Sequence, residues 1–122
     1  MEPATAGAEI ISEAYNLITG QRQNDYDHPL EDYSRTVDIF RAITGINLSA
    51  EEGIMFMVSM KLSRLANELI NELNVPDNTR DAIGYLGCLN MVRRKQREEQ
   101  SEIDRVFDQL HKHYKTGDST WG

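Results

Sequence analysis

Apolar residues recur along this chain at intervals of three and four, the spacing that gathers them on one face of a helix. Ala8, Ile11, Ala14, Tyr15 and Ile18 predict a first helix, and Gly20 stops it. From Gln21 to Pro29 the chain is too polar for a core element and holds turn-forming Asn and Asp. A second helix is expected to start near Pro29, with Glu31 and Asp32 suiting the positive end of its dipole. Tyr33, Val37, Phe40 and Ile43 or Thr44 form its stripe, and Gly45 ends it. Ser49 followed by Glu52 is a capping-box signature, so a third helix is expected from Ala50 to Leu73. Its stripe reads Ile54, Val58, Leu62, Leu65, Leu69 and Leu73, widened by Met55, Phe56, Met57 and Met60. A helix so apolar needs partners on nearly every side, and a chain of 122 residues barely supplies them. A homo-oligomer, dimer or higher, is therefore expected.

Pro76 breaks the pattern, and Asp77 or Asn78 is placed to cap a fourth helix carrying Ile83, Leu86, Leu89 and Val92. Gly84 and Gly87 lie inside it, where each costs about 1 kcal/mol against Ala. Close approach by another helix or by a ligand is the expected return. Arg93 to Arg105 is highly charged and compatible with continued helix. Ile103, Val106, Phe107, Leu110 and Tyr114 make a further amphipathic segment, expected to close the chain's own bundle or dimer. No stretch alternates with the period of a strand, and no internal repeat is visible. The fold class is all-α, a bundle of four helices plus a C-terminal one. It forms a single helical domain over 1–115, with 116–122 as a flexible tail.

Composition narrows the setting. A lone Cys88 forms no internal disulfide and suits a reducing cytoplasm, that of the host if the chain is phage-encoded. No apolar run approaches the ~18–20 residues of a membrane span, and Met1 to Glu9 lacks the features of a secretory signal. The net charge of −7 argues against binding duplex nucleic acid by neutralising phosphates, but leaves room for a local basic pocket. The basic run from Arg93 to Arg97 reads as a solvated face.

Two segments hold candidate chemistry. In the first, Asp25, Asp27, His28, Glu31 and Asp32 are either a cluster for a divalent cation or turn and capping groups. Arg22 and Gln23 beside Tyr26 suit a contact to a base or a phosphate. In the second, Lys61, Arg64 and Glu68 share one face of the third helix, and Asn78, Asp81 and Tyr85 share one face of the fourth. Internal salt bridges would join Asp81 to Lys61 or Arg64, and Arg64 to Glu68. A ligand pocket between the helices would instead use Lys and Arg to hold phosphate. His111 and His113 lie two apart, face different directions and make a poor metal pair.

Three stretches carry a family resemblance: Asp25-Tyr26-Asp27-His28-Pro29, Met57 to Asn67, and Asp77 to Tyr85. Together, over roughly residues 8–93, they resemble small phage proteins of the MazG-like family. The family's loop motif usually reads D-Y-G-H-P, so Asp27 departs from it. MazG-type nucleoside triphosphate pyrophosphohydrolases hold Mg²⁺ with E-E-x-x-E on one helix and E-x-x-D on the next. Those positions fall here on Met60-Lys61-Leu62-Ser63-Arg64 and Asn78-Thr79-Arg80-Asp81. Asp81 alone survives as an acidic ligand, and Lys61 and Arg64 replace two others. Such a site repels Mg²⁺ and suits phosphate.

The resemblance implies a MazG-like helical protein that binds a nucleotide, a cyclic nucleotide or a nucleotide-derived signal, with no cofactor required. Sequestering an immune signalling nucleotide is the use this suggests. Lys61 and Arg64 would contact phosphate, Tyr26 or Tyr85 would stack on the base, and Asn67, Asn78 and Asp81 would read polar edges, with Arg22 and His28 completing the set. A second expectation is an active pyrophosphohydrolase with Mg²⁺ on Asp25, His28, Asp32 and Asp81. A third is a non-catalytic protein-interaction module.

Overall fold

The structure, a computed structural model, describes residues 3–20 and 27–116. Four helices account for nearly all of them: α1 (Pro3–Thr19), α2 (Pro29–Thr44), α3 (Ala50–Ile70) and α4 (Pro76–Thr116). No strand occurs among the described residues. Contacts divide the chain into two units, Met1–Val92 and Arg93–Gly122. The first holds α1, α2, α3 and α4 as far as Val92; the second holds the remainder of α4. The expected flexible tail over 116–122 lies outside the described residues except for Thr116.

Local chemistry fixes the helix ends. His28 is the N-cap of α2, its Nδ1 accepting from the Leu30 N–H at 3.0 Å, with Pro29 following in the first turn. Gly45 ends α2 with φ 77°, a left-handed conformation that costs glycine little, and its N–H donates to the Arg41 carbonyl. The capping box on α3 is complete: the Glu52 N–H donates to Ser49 Oγ and the Ser49 N–H to Glu52 Oε1, both at 3.0 Å. These contacts hold the Glu52 carboxyl below the usual carboxylate range.

Three boundaries differ from the sequence expectation, one of them the end of α3, which stops at Ile70 and not at Leu73. Pro76 opens α4 instead of standing before it, because a first-turn position does not use the N–H that proline lacks. Asp77 and Asn78 therefore lie inside the first turn and do not cap it. The C-terminal segment is not a separate helix either: α4 runs 41 residues without a break. Arg93 to Glu102 contains no Gly or Pro and is dominated by Arg, Lys, Gln and Glu, all good helix formers.

In the first unit Tyr33 of α2, Ala50, Ile54 and Val58 of α3, and Cys88 and Val92 of α4 form the buried core. Ile18, Leu30, Met57, Tyr85 and Leu89 pack against it. The α2 stripe is buried only at Tyr33 and Val37; Ile43 is 78% exposed. The α3 stripe also departs from the expected one. Its inward positions run Ile54, Val58, Lys61, Leu65 and Glu68, while Leu62 and Leu69 face outward at 50% and 74% exposure. Both sets satisfy helical spacing, and the choice between them is made by polar partners on α4.

Glycines mark where helices approach closely. A Cβ on Gly84 would lie 3.6 Å from Ile18 Cγ2, and one on Gly87 would lie 3.0 Å from Ile18 Cδ1. The pair thus admits α1 against α4, the helix approach anticipated for it. A Cβ on Gly53 would lie 2.8 Å from Val37 Cγ1, so α2 and α3 meet there as well. Val37 is β-branched and has one dominant rotamer in a helix, whereas the end of Ile18 can rotate away. Gly53→Ala is therefore expected to destabilise by about 1–2 kcal/mol, the overpacking cost outweighing the gain in propensity. Gly87→Ala should be neutral or stabilising by up to about 1 kcal/mol. Urea midpoints of the two variants provide the check, and a Gly53→Ala protein more stable than Gly87→Ala would contradict this packing.

Candidate functional site

The first half of α4 faces α3 with polar residues, and α3 answers with two of its own. Lys61 Nζ lies 2.9 Å from Asp81 Oδ2, with the side chains 13% and 20% exposed. The other oxygen, Asp81 Oδ1, accepts from Arg80 through Nε and Nη2, each at 3.0 Å. Arg80 also lies 3.3 Å from Asp77 through Nη1. Two cations and two carboxylates thus form one line, Lys61–Asp81–Arg80–Asp77, and neutralise each other. Glu13 of α1 adds a further negative charge near Arg80. Burial pushes the Asp81 carboxyl up, but hydrogen bonds from Lys61 and Arg80, together with their charges, outweigh it and hold the group below its usual value.

A second polar couple closes the α3–α4 turn. Glu68 is 5% exposed and Asn78 is 9% exposed. The Glu68 carboxylate accepts from Asn78 Nδ2 at 2.9 Å and from the backbone N–H of Val75. It lies at the start of α4, where the helix dipole favours an anion. Of the internal salt bridges expected, Asp81 with Lys61 forms. Arg64 with Glu68 does not, because Glu68 is turned toward α4. Arg64 is exposed and has no ion pair or hydrogen bond among the described residues.

The other candidate positions are spread out. Asn67 is exposed and accepts from Asn71 Nδ2 at 2.8 Å. Tyr85 is half-buried against the core. His28 caps α2, and Asp27, the departure from the loop motif, pairs with exposed Arg35. Five residues join α2 to α3, so the two run antiparallel. From the contact of Val37 with Gly53, equal steps back along α2 and forward along α3 bring His28 level with Leu62. The start of α2 thus lies toward the same end of the first unit as Lys61 and Arg64. Arg22, Asp25 and Tyr26 lie outside the described residues. Among the described residues no three His, Cys, Asp or Glu gather as metal ligands, so His28, Asp32 and Asp81 do not form the expected set by themselves. Sequence reasoning missed Arg80, although its neighbour Asp81 and the i,i+3 spacing from Asp77 signalled it.

Two outcomes follow. Glu68→Ala leaves the Val75 N–H and the Asn78 amide without their acceptor, and should cost about 2–4 kcal/mol in chemical denaturation; a loss under about 0.5 kcal/mol, normal for a surface site, would refute the buried role. Asp81 stabilises the fold fully above its ordinary pKa near 3.8, and that contribution disappears as pH falls through its lowered folded value. Asp81→Asn should thus lower stability at neutral pH and flatten the loss of stability below about pH 4. Parallel acid profiles for variant and wild type would contradict this.

Residues 9–93 match the family described as a domain of unknown function, DUF6378. The Gene 55 protein of Mycobacterium phage D29 is 28% identical over 83 residues, which cover 68% of this chain and 52% of that protein. The Gene 55 protein of Mycobacterium phage L5 is 26% identical over 102 residues, 83% of this chain and 63% of that protein. The chain therefore spans between half and two thirds of the length of these phage relatives. No solved structure matches it. No helix among the described residues is long and apolar enough to cross a membrane. With the family match reaching from the middle of α1 to just past Val92, the chain belongs to the DUF6378 family.

Proposed function

We propose that this chain is a MazG-like protein that binds a nucleotide or a nucleotide-derived signal through cations, without metal-dependent hydrolysis. The observation that carries the reading is the state of Asp81. It is the one acidic residue retained at the positions the resemblance assigns to Mg²⁺ ligands, and both its oxygens are engaged by Lys61 and Arg80. A metal ion would have to displace two cations to reach it. Arg64, one turn along α3 from Lys61, supplies an exposed guanidinium suited to bidentate contact with phosphate. Lys61 is the second cation, shared with Asp81. Arg22, Tyr26 and His28 at the approach to α2 supply the remaining contacts, with Tyr26 stacking on the base. Asn67, Asn78 and Tyr85 are secondary, since the first two are already hydrogen-bonded and the third packs on the core. The binder works as a homo-oligomer. Sequestration of a signalling nucleotide fits its phage relatives.

The test is thermal unfolding against nucleoside triphosphates, monophosphates, cyclic dinucleotides and adenosine-diphosphate-ribose, in EDTA and again in Mg²⁺. A ligand at a hundred times its Kd stabilises by about 2.7 kcal/mol, equivalent to a rise in Tm of roughly 10 °C or more for a domain of this size. The expected result is such a rise for at least one ligand in EDTA. Arg64→Ala should leave the unliganded Tm within about 2 °C and abolish the rise. Absence of any rise, or a rise that needs Mg²⁺, would overturn the proposal.

A further inference from the structure

The described part of the second unit is one helix with nothing in that unit to pack on. Its residues from Arg93 to Thr116 belong to α4, which has no break at which it could turn back on itself. A lone helix is marginal in water. Ion pairs support this one along one side: Arg94 with Glu98, Glu102 with Arg105, and Asp108 with Lys112. The opposite side carries Ile103, Phe107, Leu110 and Tyr114, at 47%, 66%, 46% and 60% exposure. Their steps of four, three and four residues are those of a coiled-coil seam. Asp104 and His111 flank the seam along one edge, seven residues apart. Asp104 has no cation three or four residues away on α4. Its Oδ1 accepts from Gln100 at 2.9 Å, which leaves Oδ2 open among the described residues. His111 has no ion pair or hydrogen bond among the described residues.

We infer that this seam pairs with the same seam of a second copy of the chain, the two helices antiparallel and related by a two-fold axis. The inference rests on the homo-oligomer part of the proposed function and is independent of its nucleotide part. Three observations identify the occupant. The first is the register. With the axis level with Asp108 and Gln109, Ile103 falls opposite Tyr114 of the partner subunit and Phe107 opposite the partner's Leu110, and the axis repeats both contacts. All four layers are apolar, an aromatic facing an aliphatic side chain in each, and the seam ends before Gln100. The second is charge. The same register brings Asp104 beside the partner's His111 on both sides of the axis, giving each group the partner it lacks on its own helix. The parallel alternative sets Glu99 beside the partner's Asp104, a like-charge contact made twice. The third is area. Val106, 42% exposed, borders the seam. At roughly 200 Å² for side chains of this size, it and the four seam residues offer about 500 Å² per chain. A pair buries about 1,000 Å², the lower limit for a specific interface, before the flanking groups are counted. Pairing so far along α4 also keeps the bulk of the two copies clear of each other, because Val92 and the partner's Val92 lie about 50 Å apart along the helices.

Light scattering after gel filtration of the full chain tests this, at about 100 μM because interfaces near this area are weak. Wild type should run at twice its 14.0 kDa mass, or at a higher even multiple. Phe107→Glu puts a charge into both central layers and should halve that mass. A wild type at monomer mass overturns the homo-oligomer reading itself and leaves the seam to a foreign partner. A dimer that Phe107→Glu leaves intact overturns this seam alone. Single-cysteine cross-linking with a short bis-maleimide tests the direction with the apolar seam unaltered, since native Cys88 is buried. His111→Cys, about 8 Å from its own copy along the helices, should link to itself. Gln100→Cys should not, because the antiparallel register holds its two copies about 25 Å apart. Failure of His111→Cys to link, or equal self-linking at both positions as in a parallel pair, contradicts the inference.

Discussion

The pairing of Lys61 with Asp81 is the constraint that the rest of the first unit obeys. Taking one such charge out of water without its partner costs several kcal/mol. Once both occupy facing positions on α3 and α4, the helices must turn until the two groups meet, as they do at 2.9 Å. That rotation settles the other positions. Seven residues on, Glu68 also comes inward, and it is satisfied by Asn78 and the Val75 N–H at the start of α4. Leu62 and Leu69, the apolar alternatives on the next row, are turned out. Apart from Tyr33, the buried core is left to small and medium side chains, with Ile54, Val92 and Cys88 its largest fully buried members.

This division explains what could be read from the sequence. Helix starts and stops were legible because their chemistry is local: His28 and Pro29, Gly45, and Ser49 with Glu52 each act within a few residues. The glycines at 84 and 87 were legible for a similar reason, since a costly residue in a helix implies close approach. The inner face of α3 was not. Choosing Leu62 and Leu69 over Lys61 and Glu68 follows hydrophobicity alone, and the partners that reverse the choice lie on another helix. Pro76 was legible as a boundary but ambiguous in side, because proline both ends a helix and opens one. Of the candidate site, the Lys61–Asp81 pair was anticipated. The salt-bridge reading, the alternative to phosphate contact, also paired Arg64 with Glu68, because spacing along one helix does not show that Glu68 has better partners on α4.

Three sides of α3 consequently carry three kinds of chemistry. The inner side holds charges that cancel one another. The outer side is apolar and uncharged. The remaining side carries Arg64, an exposed cation near the end of the unit where α2 begins with a histidine cap. Under the proposed MazG-like reading, Lys61 and Arg64 stand where a pyrophosphohydrolase would hold metal-binding carboxylates. Asp81 becomes the anchor for two cations, and its carboxylate is spent on structure.

The most direct test of this account is a double-mutant cycle on stability with Lys61→Met, Asp81→Ala and the combination, by urea unfolding at neutral pH. A largely buried pair that sets the rotation of α3 should show a coupling energy of about 1.5–3 kcal/mol. A coupling below about 0.5 kcal/mol, the value of an exposed ion pair, would mean that the pair is incidental and that something else turns α3.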